Sequence, residues 1–386
     1  MMTETETKTR PAWSVRIGEA ILSACEQRDH PKMANKWGYV SGMALMALGR
    51  LSEHAGEPRF MDVLQHHMEL FITEDGGIRT YRLNDYNLDH INQGKNLFLM
   101  HEKTGDAKYE KAISLLVKQL IGQPRTSEGG FWHKKIYPYQ MWLDGVYMSS
   151  PFLAEYARRF GGDRFFDEVA LQILLIESRT RIPETGLLCH AWDESREQQW
   201  CDRTTGRSLH VWGRAMGWYA MAVVDALDHF PEDHPKRGQI MGIFHRMAHA
   251  LKHVQDQESG LWYQVMDQNG REGNYLEASA SCMLTYALAK GIRKGYVSEL
   301  NPQVVQRAYQ GILDRFVTED SEGVHLHGIC HGAGLGGNGF YRDGSYAYYL
   351  SEEVVSDALM GVAPFLLASI EMEKLNEAND REVESI

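Results

Sequence analysis

The sequence predicts an all-α protein, an (α/α)6 barrel of six helical hairpins with short β-hairpins in its loops. Three observations predict it. Apolar residues recur at helical spacing in twelve segments of ten to twenty residues. Short polar connectors ending near an aromatic recur between them: AGEPRF (55–60), TGDAKY (104–109) and GGDRFF (161–166), with looser counterparts FPEDHPKR (230–237) and GYVSELNP (295–302). A second repeat places an acid or Ser, then Gly, then an apolar and aromatic tract: DGGIRTY (75–81), EGGFWHK (128–134), ETGLLCHAW (184–192), ESGLWYQV (258–265) and SEGVHLHG (321–328).

In chain order the expected helices cover 13–28, 36–51, 58–73, 90–103, 107–121, 144–160, 164–178, 209–229, 236–254, 275–293, 301–316 and 352–373. Runs such as SGMALMALGRL, HINQGKNLFLMHEK and DGVYMSSPFLAEYARRF precede a connector, and MDVLQHHMELFI, EKAISLLVKQLI and DEVALQILLIES follow one. Ser149-Ser150-Pro151 either starts a helix of its own or kinks one begun at Asp144. Each Gly-anchored tract reads as a tight turn opening a short strand. The units repeat every 50 to 75 residues, room for one hairpin and a loop. Six sequential hairpins close into a double ring, one helix of each pair inside. An open solenoid is the alternative, but the units stop at six and their loops are long and aromatic. The reading is one domain over 1–386, with charged, flexible tails at about 1–10 and 374–386.

The chain has 386 residues, 43% hydrophobic and 24% charged, the profile of a soluble globular protein with a sizeable core. A net charge of −12 without any arginine-rich run argues against a nucleic-acid partner. An anionic ligand would have to be met by a local cationic cluster. The five cysteines are widely spaced with no CxxC pair, so neither a disulfide framework nor a structural zinc site is expected. MMTETETKTR lacks the apolar core of a signal peptide, and no run of 18 apolar residues occurs. A cytoplasmic location and no membrane partner are therefore expected.

In such a ring the loops before the inner helices share one mouth. They are WGYV (37–40), YNLDHIN (86–92), YPYQMWLDG (137–145), LHVWGRAMGWYA (209–220) and GNYLEASAS (273–281), together with HGICHGAGLGG (327–337). One Trp alone reads as core, whereas rings in five loops in phase suit stacking on a sugar face. Asp89 (NLDHIN) and Asp144 (WLDGVY) stand at matching positions, each in Leu-Asp before an inner helix. Either can be an N-cap. As a pair at one mouth they suit acid and base, and the apolar, aromatic setting of Asp144 raises its carboxyl pKa and makes it the proton donor. His133, Lys134 and Lys135 in FWHKK, His190 in LCHAW and Arg214 in WGRAMGW bring cations to the same loops. An Arg and a Lys together suit clamping a carboxylate; the alternative for Lys134 and Lys135 is a solvated loop. Arg214 and Trp218, four apart, share a helix face. There is no HExxH, and no metal is expected. HGAGLGG (331–337) is not a GxGxxG and reads as a mobile rim loop.

At WLDGVYMSSPFLAEYA, NLDHINQGK, HAWDESREQQW and WGRAMGWY the sequence resembles the unsaturated rhamnogalacturonyl hydrolases, glycoside hydrolase family 105, over roughly residues 30–373. The unsaturated glucuronyl hydrolases share the plan more distantly. The resemblance implies the same barrel, and an enzyme removing a terminal 4,5-unsaturated galacturonate from pectin-derived oligosaccharides. In that family an Asp protonates C4 of the C4=C5 vinyl ether and water adds at C5. By motif match Asp144 is that Asp, Asp89 is the second acid, and His133, Lys134, His190, Arg214 and Trp218 bind the sugar. Tyr39 in WGYV is a further, weaker match. No metal or organic cofactor is implied. The rival readings are an inverting glycosidase with Asp89 and Asp144 straddling a saturated bond, a sugar 2-epimerase using histidine bases, and a carbohydrate-binding barrel without catalysis. Loops 193–208 and 327–343 are the expected determinants of which uronate is taken, and oligomeric state stays open.

Overall fold

The structure, a computed structural model, describes residues 10–26, 36–337 and 339–384. Expected helix residues 27–28 and expected tail residues 1–9 and 385–386 lie outside this range. Along the first half run α1 (Trp13–Glu26), α2 (Tyr39–Ala55), α3 (Pro58–Phe71), α4 (Lys95–Thr104), α5 (Ala107–Gly122), α6 (Leu143–Phe160) and α7 (Asp163–Thr180). The second half adds α8 (Gly213–Leu227), α9 (Arg237–His253), α10 (Ala278–Arg293), α11 (Gln303–Phe316), the short α12 (Tyr346–Ser351) and α13 (Leu359–Glu384). Helices α2, α4, α6, α8, α10 and α13 form the inner ring, and α13 packs on α2 to close it. Helices α1, α3, α5, α7, α9 and α11 lie outside. This is the (α/α)6 barrel that the repeats predict.

The pairing of hairpins follows from the short connectors. Each joins an inner helix to the outer helix after it, so α2–α3, α4–α5, α6–α7, α8–α9 and α10–α11 are local hairpins. That leaves α1 and α13, which pack together as the sixth. The Ser14 backbone N–H and hydroxyl donate to the Glu373 carboxylate at 3.0 and 2.6 Å, and His54 Nε2 lies 2.9 Å from the same group. The helix therefore does not end where the charged tail was expected. It continues to Glu384, and Leu375 is buried.

The Gly-anchored tracts fold alike. Gly76, Gly129, Gly186, Gly260 and Gly323 all have positive φ (85°, 92°, 75°, 73° and 132°), the left-handed region that side chains avoid. Isolated antiparallel bridges flank the first three turns: Ile72↔Ile78, Arg125↔Phe131 and Arg181↔Leu188. The last tract opens a full hairpin, β3 (Val317–Asp320) with β4 (Gly323–Leu326).

Several helix starts move from the expected positions. Residues 88–94 form two 3-10 turns, and α4 begins only at Lys95. The Asn87 side chain accepts from Asp89 N at 3.0 Å, holding the first turn. Gly42 of α2 lets the second turn press close, since a Cβ there would meet the Gln93 backbone at 2.7 Å. Helix α10 begins at Ala278, where the Glu277 carboxylate accepts from Ser279 N and Ala280 N. Helix α13 begins at Leu359 and not at 352, because Val354–Val355 pairs with Ile329–Cys330. Pro151 neither starts nor interrupts a helix: α6 runs unbroken from Leu143. Cys189, Cys201, Cys282 and Cys330 are buried thiols without disulfides. Among the described residues no helix is long and apolar enough to cross a membrane.

Candidate active site

Two short antiparallel bridges place the two carboxylates. Strand β1 (Gln140–Trp142) pairs with β2 (Ala191–Asp193) so that Trp142 faces Ala191. The Leu143 N–H then donates to the His190 carbonyl at 3.1 Å. This register sets Asp144, second residue of α6, against the His190 ring, with Oδ2 3.3 Å from Nε2. The contact lacks hydrogen-bond geometry, and both atoms are buried without another partner. His190 is fully buried, and its Nδ1 lies 2.9 Å from the Tyr349 hydroxyl. Trp212 packs on the ring at 4.8 Å and Trp142 meets it edge-on at 5.3 Å.

The Asp89 corner has the same construction one unit earlier. Asn87 bridges Lys134, and the Leu88 N–H donates to the His133 carbonyl at 3.1 Å. Asp89 thereby meets Lys134 Nζ at 2.6 Å and His133 Nε2 at 3.5 Å. Burial pushes the Asp89 carboxyl up, but the facing Lys134 and His133 outweigh it and hold the group below the usual carboxylate range. The same pair works on Lys134, whose ammonium is raised by Asp89 against the opposing effect of burial. His133 joins the two corners. Its ring stacks on Trp142 at 4.8 Å and 11°, and burial lowers it to about 4 against the pull of Asp89. At neutral pH it is an uncharged imidazole.

Neither Asp caps its helix. Trp142 occupies the N-cap of α6, and Asn87 supplies the cap of the turn holding Asp89. The capping alternative is thereby removed for both.

Tyr39, first residue of α2, borders a cavity of about 310 Å³ that also takes in Lys36, Asn87, Asp89 and Lys134. Burial, reinforced by Asp89, pushes its phenol well up, so it remains a neutral hydroxyl. Trp218 lies buried behind it, edge-on at 6.1 Å and stacked on Tyr147 at 4.9 Å. Trp37 and Trp212 are likewise buried, so these indoles leave no face for stacking. The rings of the surrounding loops that reach the surface include Tyr39, Tyr86, Trp132, Tyr137, Tyr139 and Tyr275.

The two cations expected to clamp a carboxylate are already engaged. Lys134 holds Asp89. Arg214 donates from Nε to Ser279 Oγ at 2.8 Å and from its terminal nitrogens to the carbonyls of Cys330 and His331, 3.7 Å from the buried Glu277. Lys135, exposed with its ammonium 5.8 Å from the Tyr86 ring, is the solvated residue of that loop. The 331–337 segment is better anchored than a mobile rim. Leu335 is fully buried with Trp142 and Trp200, and the Gly334 N–H donates to the Tyr348 hydroxyl at 2.9 Å. The residues that sequence reasoning did not single out are Tyr349, Trp212, Asn87 and Glu277. A tyrosine cluster in SYAYYL (345–350), with Tyr346 and Tyr349 three apart, was the available signal for the first.

The sequence matches the family model of Glycosyl Hydrolase Family 88 over residues 13–376. A solved glycoside hydrolase of family 105 from C. acetobutylicum is 42% identical with a TM-score of 0.90, covering 94% of this chain and 100% of that one. The chain belongs to the family 88 and 105 glycosyl hydrolases. This hydrolase is also 28% identical over 290 residues to the unsaturated rhamnogalacturonyl hydrolase YesR of Bacillus subtilis, covering 74% of this chain and 77% of that protein. Protein Atu3128 of Agrobacterium fabrum is 38% identical over 237 residues, 58% of this chain and 97% of that protein. An unsaturated glucuronyl hydrolase from Bacillus sp. GL1 shares the fold, with a TM-score of 0.66 at 13% identity. As a member of these families, the protein is an unsaturated glycosyl hydrolase.

Proposed function

We propose that this hydrolase removes the terminal 4,5-unsaturated galacturonate from rhamnogalacturonan oligosaccharides by hydrating the C4=C5 vinyl ether, with Asp144 as the proton donor. The observation that carries the assignment of roles is the contrast between the carboxylates. Asp89 is tied to Lys134 at 2.6 Å and held ionised, while Asp144 touches only the His190 ring and leaves Oδ2 without a hydrogen bond. A base locked in an ion pair is a poor proton donor; an acid with an open oxygen beside a sheltering aromatic wall is a good one.

In this reading Asp144 gives a proton to C4. Positive charge develops at C5, where the ring oxygen shares it, and water adds there. The proton lost by that water returns to Asp144. The resulting hemiketal opens and the glycosidic bond breaks, so one water is consumed and the acid is restored. Asp89 stays ionised and orients the water or a sugar hydroxyl. Tyr39, His133 and Lys134 face the sugar, His190 holds Asp144 in place, and Arg214 and Trp218 support the wall behind them. The rhamnogalacturonan preference is supported by the likeness to YesR.

The test is the ultraviolet absorbance of an unsaturated rhamnogalacturonan disaccharide incubated with pure protein. Loss of the C4=C5 absorbance that Asp144→Asn abolishes supports the reading. A flat signal on that substrate with loss of absorbance from unsaturated glucuronides moves the assignment to the uronate and sugar of those substrates. Reducing sugar released from saturated substrates alone overturns the hydration chemistry.

A further inference from the structure

The six inner helices run in one direction, so the barrel has a second end. The proposed active site occupies the starts of these helices. Another cavity, about 390 Å³, is lined from all six of them, from the later turns of α2, α6, α8 and α10, the first turns of α4 and the middle of α13. Its lining holds seven Lys and Arg side chains against five Asp and Glu, a cationic surplus inside a chain of net charge −12.

Four of the five acids there are paired, although the buried Asp225 Oδ2 lies 3.6 Å from Arg50 without a hydrogen bond. Asp225 accepts from Lys290 Nζ and from the Tyr286 hydroxyl, each at 2.6 Å, and Lys290 also reaches Asp228 at 2.6 Å. Arg293 donates to Glu371 at 2.7 Å, and Arg159 to Glu155 at 2.8 Å. Of the two buried ammoniums in this lining, Lys95 and Lys290, only Lys95 is left over. Lys95 is 8% exposed, its ammonium has no hydrogen-bond partner, and it lies 3.7 Å from the centre of the Tyr147 ring. The Tyr147 hydroxyl is also buried and unpartnered.

Basic side chains near helix C-termini commonly offset the helix dipole. That explains Arg293 and Lys294 at the end of α10, but not Lys95, the first residue of α4. An ammonium carries three donors, and burying it against a ring face alone is costly. A ligand that brings acceptor oxygens removes that cost. We propose that this cavity at the far end of the barrel binds a small oxyanion, a phosphate or a compact carboxylate, seated on Lys95.

The site is separate from the proposed active site: Tyr147 stacks on Trp218, which meets Tyr39, and these rings wall the two cavities from each other. Binding at Lys95 has a signature of its own. Burial lowers this ammonium to about 7; Asp225 of α8 and Glu155 of α6 oppose the fall, Arg50 of α2 and Lys290 of α10 reinforce it. Glu371 of α13 remains with Arg293. Above pH 7 much of Lys95 is therefore neutral, and an arriving anion recharges it, drawing a proton from the buffer.

The experiment is calorimetric titration of the full chain at pH 8 with inorganic phosphate and, separately, with galacturonate, in two buffers of different ionisation enthalpy. The expected result is binding with uptake of about one proton per anion, weakened about tenfold or more in Lys95→Met. Lys95→Met removes an unpartnered buried charge, so its thermal midpoint should stay at or above that of the unmodified protein, and the buffer dependence tests the proposal without any variant. Phosphate binding alone identifies a phosphate site, and galacturonate binding that is lost in Lys95→Met identifies a carboxylate site. Absence of binding, or binding without proton uptake that Lys95→Met leaves unchanged, overturns the proposal.

Discussion

The Asp89 and Asp144 corners are built alike and charged differently. In each, the loop before an inner helix bridges the Gly-anchored tract of the following unit, Asn87 with Lys134 and Trp142 with Ala191. In each, that tract delivers a nitrogen base to the carboxylate. At Asp89 the delivery is a lysine at 2.6 Å with His133 behind it; at Asp144 it is His190 at 3.3 Å, fully buried and backed by Tyr349. The repeated backbone fixes where a carboxylate stands, and the side chain that the neighbouring tract supplies decides what it does. One position becomes an ionised anchor, and the other, our proposed proton donor, keeps an oxygen without a hydrogen bond.

The comparison breaks most visibly at its reactive half. Asp144→Asn should lower kcat by about 10³-fold or more, in the range of a lost general acid, with a thermal midpoint close to that of the unmodified enzyme because neither a cap nor a lysine pair is lost. Loss of the folded state in this variant would instead make Asp144 structural. Asp89→Asn should act on both properties. It leaves Lys134 charged and partly buried, costing about 2 kcal/mol, less than a fully buried pair because both groups keep some solvent. It should also slow turnover by about 10²-fold. Adding Lys134→Met to Asp89→Asn should restore stability but not rate, and a double-mutant cycle measured by urea unfolding separates the two.

The pH dependence sharpens the same contrast. His133 has an imidazole lowered to about 4 in the folded chain, against 6.5 unfolded. Between these values the unfolded state takes up a proton that the folded state refuses. Stability should thus be complete above pH 6.5 and fall as the pH drops toward 4, by up to about 3 kcal/mol from this group. His133→Gln should flatten that part of the profile, as read by urea unfolding at pH 6.5 and 4.5. The smallest effect is expected at Tyr349→Phe. It removes one hydrogen bond from His190, worth about 1 kcal/mol or some five- to tenfold in kcat. An unchanged KM and a shifted pH–rate profile would mark it as a positioning residue for the Asp144 corner.

Much of this was legible in the sequence, for physical reasons. Both carboxylates show as Leu-Asp before an inner helix, because the repeat puts one loop type in one place. Their partners His133, Lys134 and His190 show as the residues a few places beyond a conserved-conformation glycine turn, Gly129 and Gly186. What did not show is which tract meets which acid, since a bridge such as Asn87↔Lys134 spans a whole unit and leaves no local pattern. Tyr349 stands 159 residues from the His190 it touches. The late start of α4 was hidden because HINQGK has helical periodicity, while the 3-10 turns are held by the Asn87 side chain and by the close approach of Gly42 to Gln93. Arg214 looked like a ligand for a substrate carboxylate, yet its guanidinium serves carbonyls of a segment more than a hundred residues away.

The pairing of α1 with α13 has a consequence for how this molecule is made. Five hairpins are local in the chain, but the sixth joins α1 to α13, with Ser14 and Glu373 lying 359 residues apart. Until residues near Glu373 emerge, Ser14 has no carboxylate to meet and α2 has no neighbour on its α13 side. The early helices must wait with apolar surface uncovered for most of synthesis, the condition under which nascent chains aggregate or recruit chaperones. Opening the ring instead at the GGDRFF connector, with α13 linked to α1, would make that pair an ordinary local hairpin and pass the wait to α6 and α7.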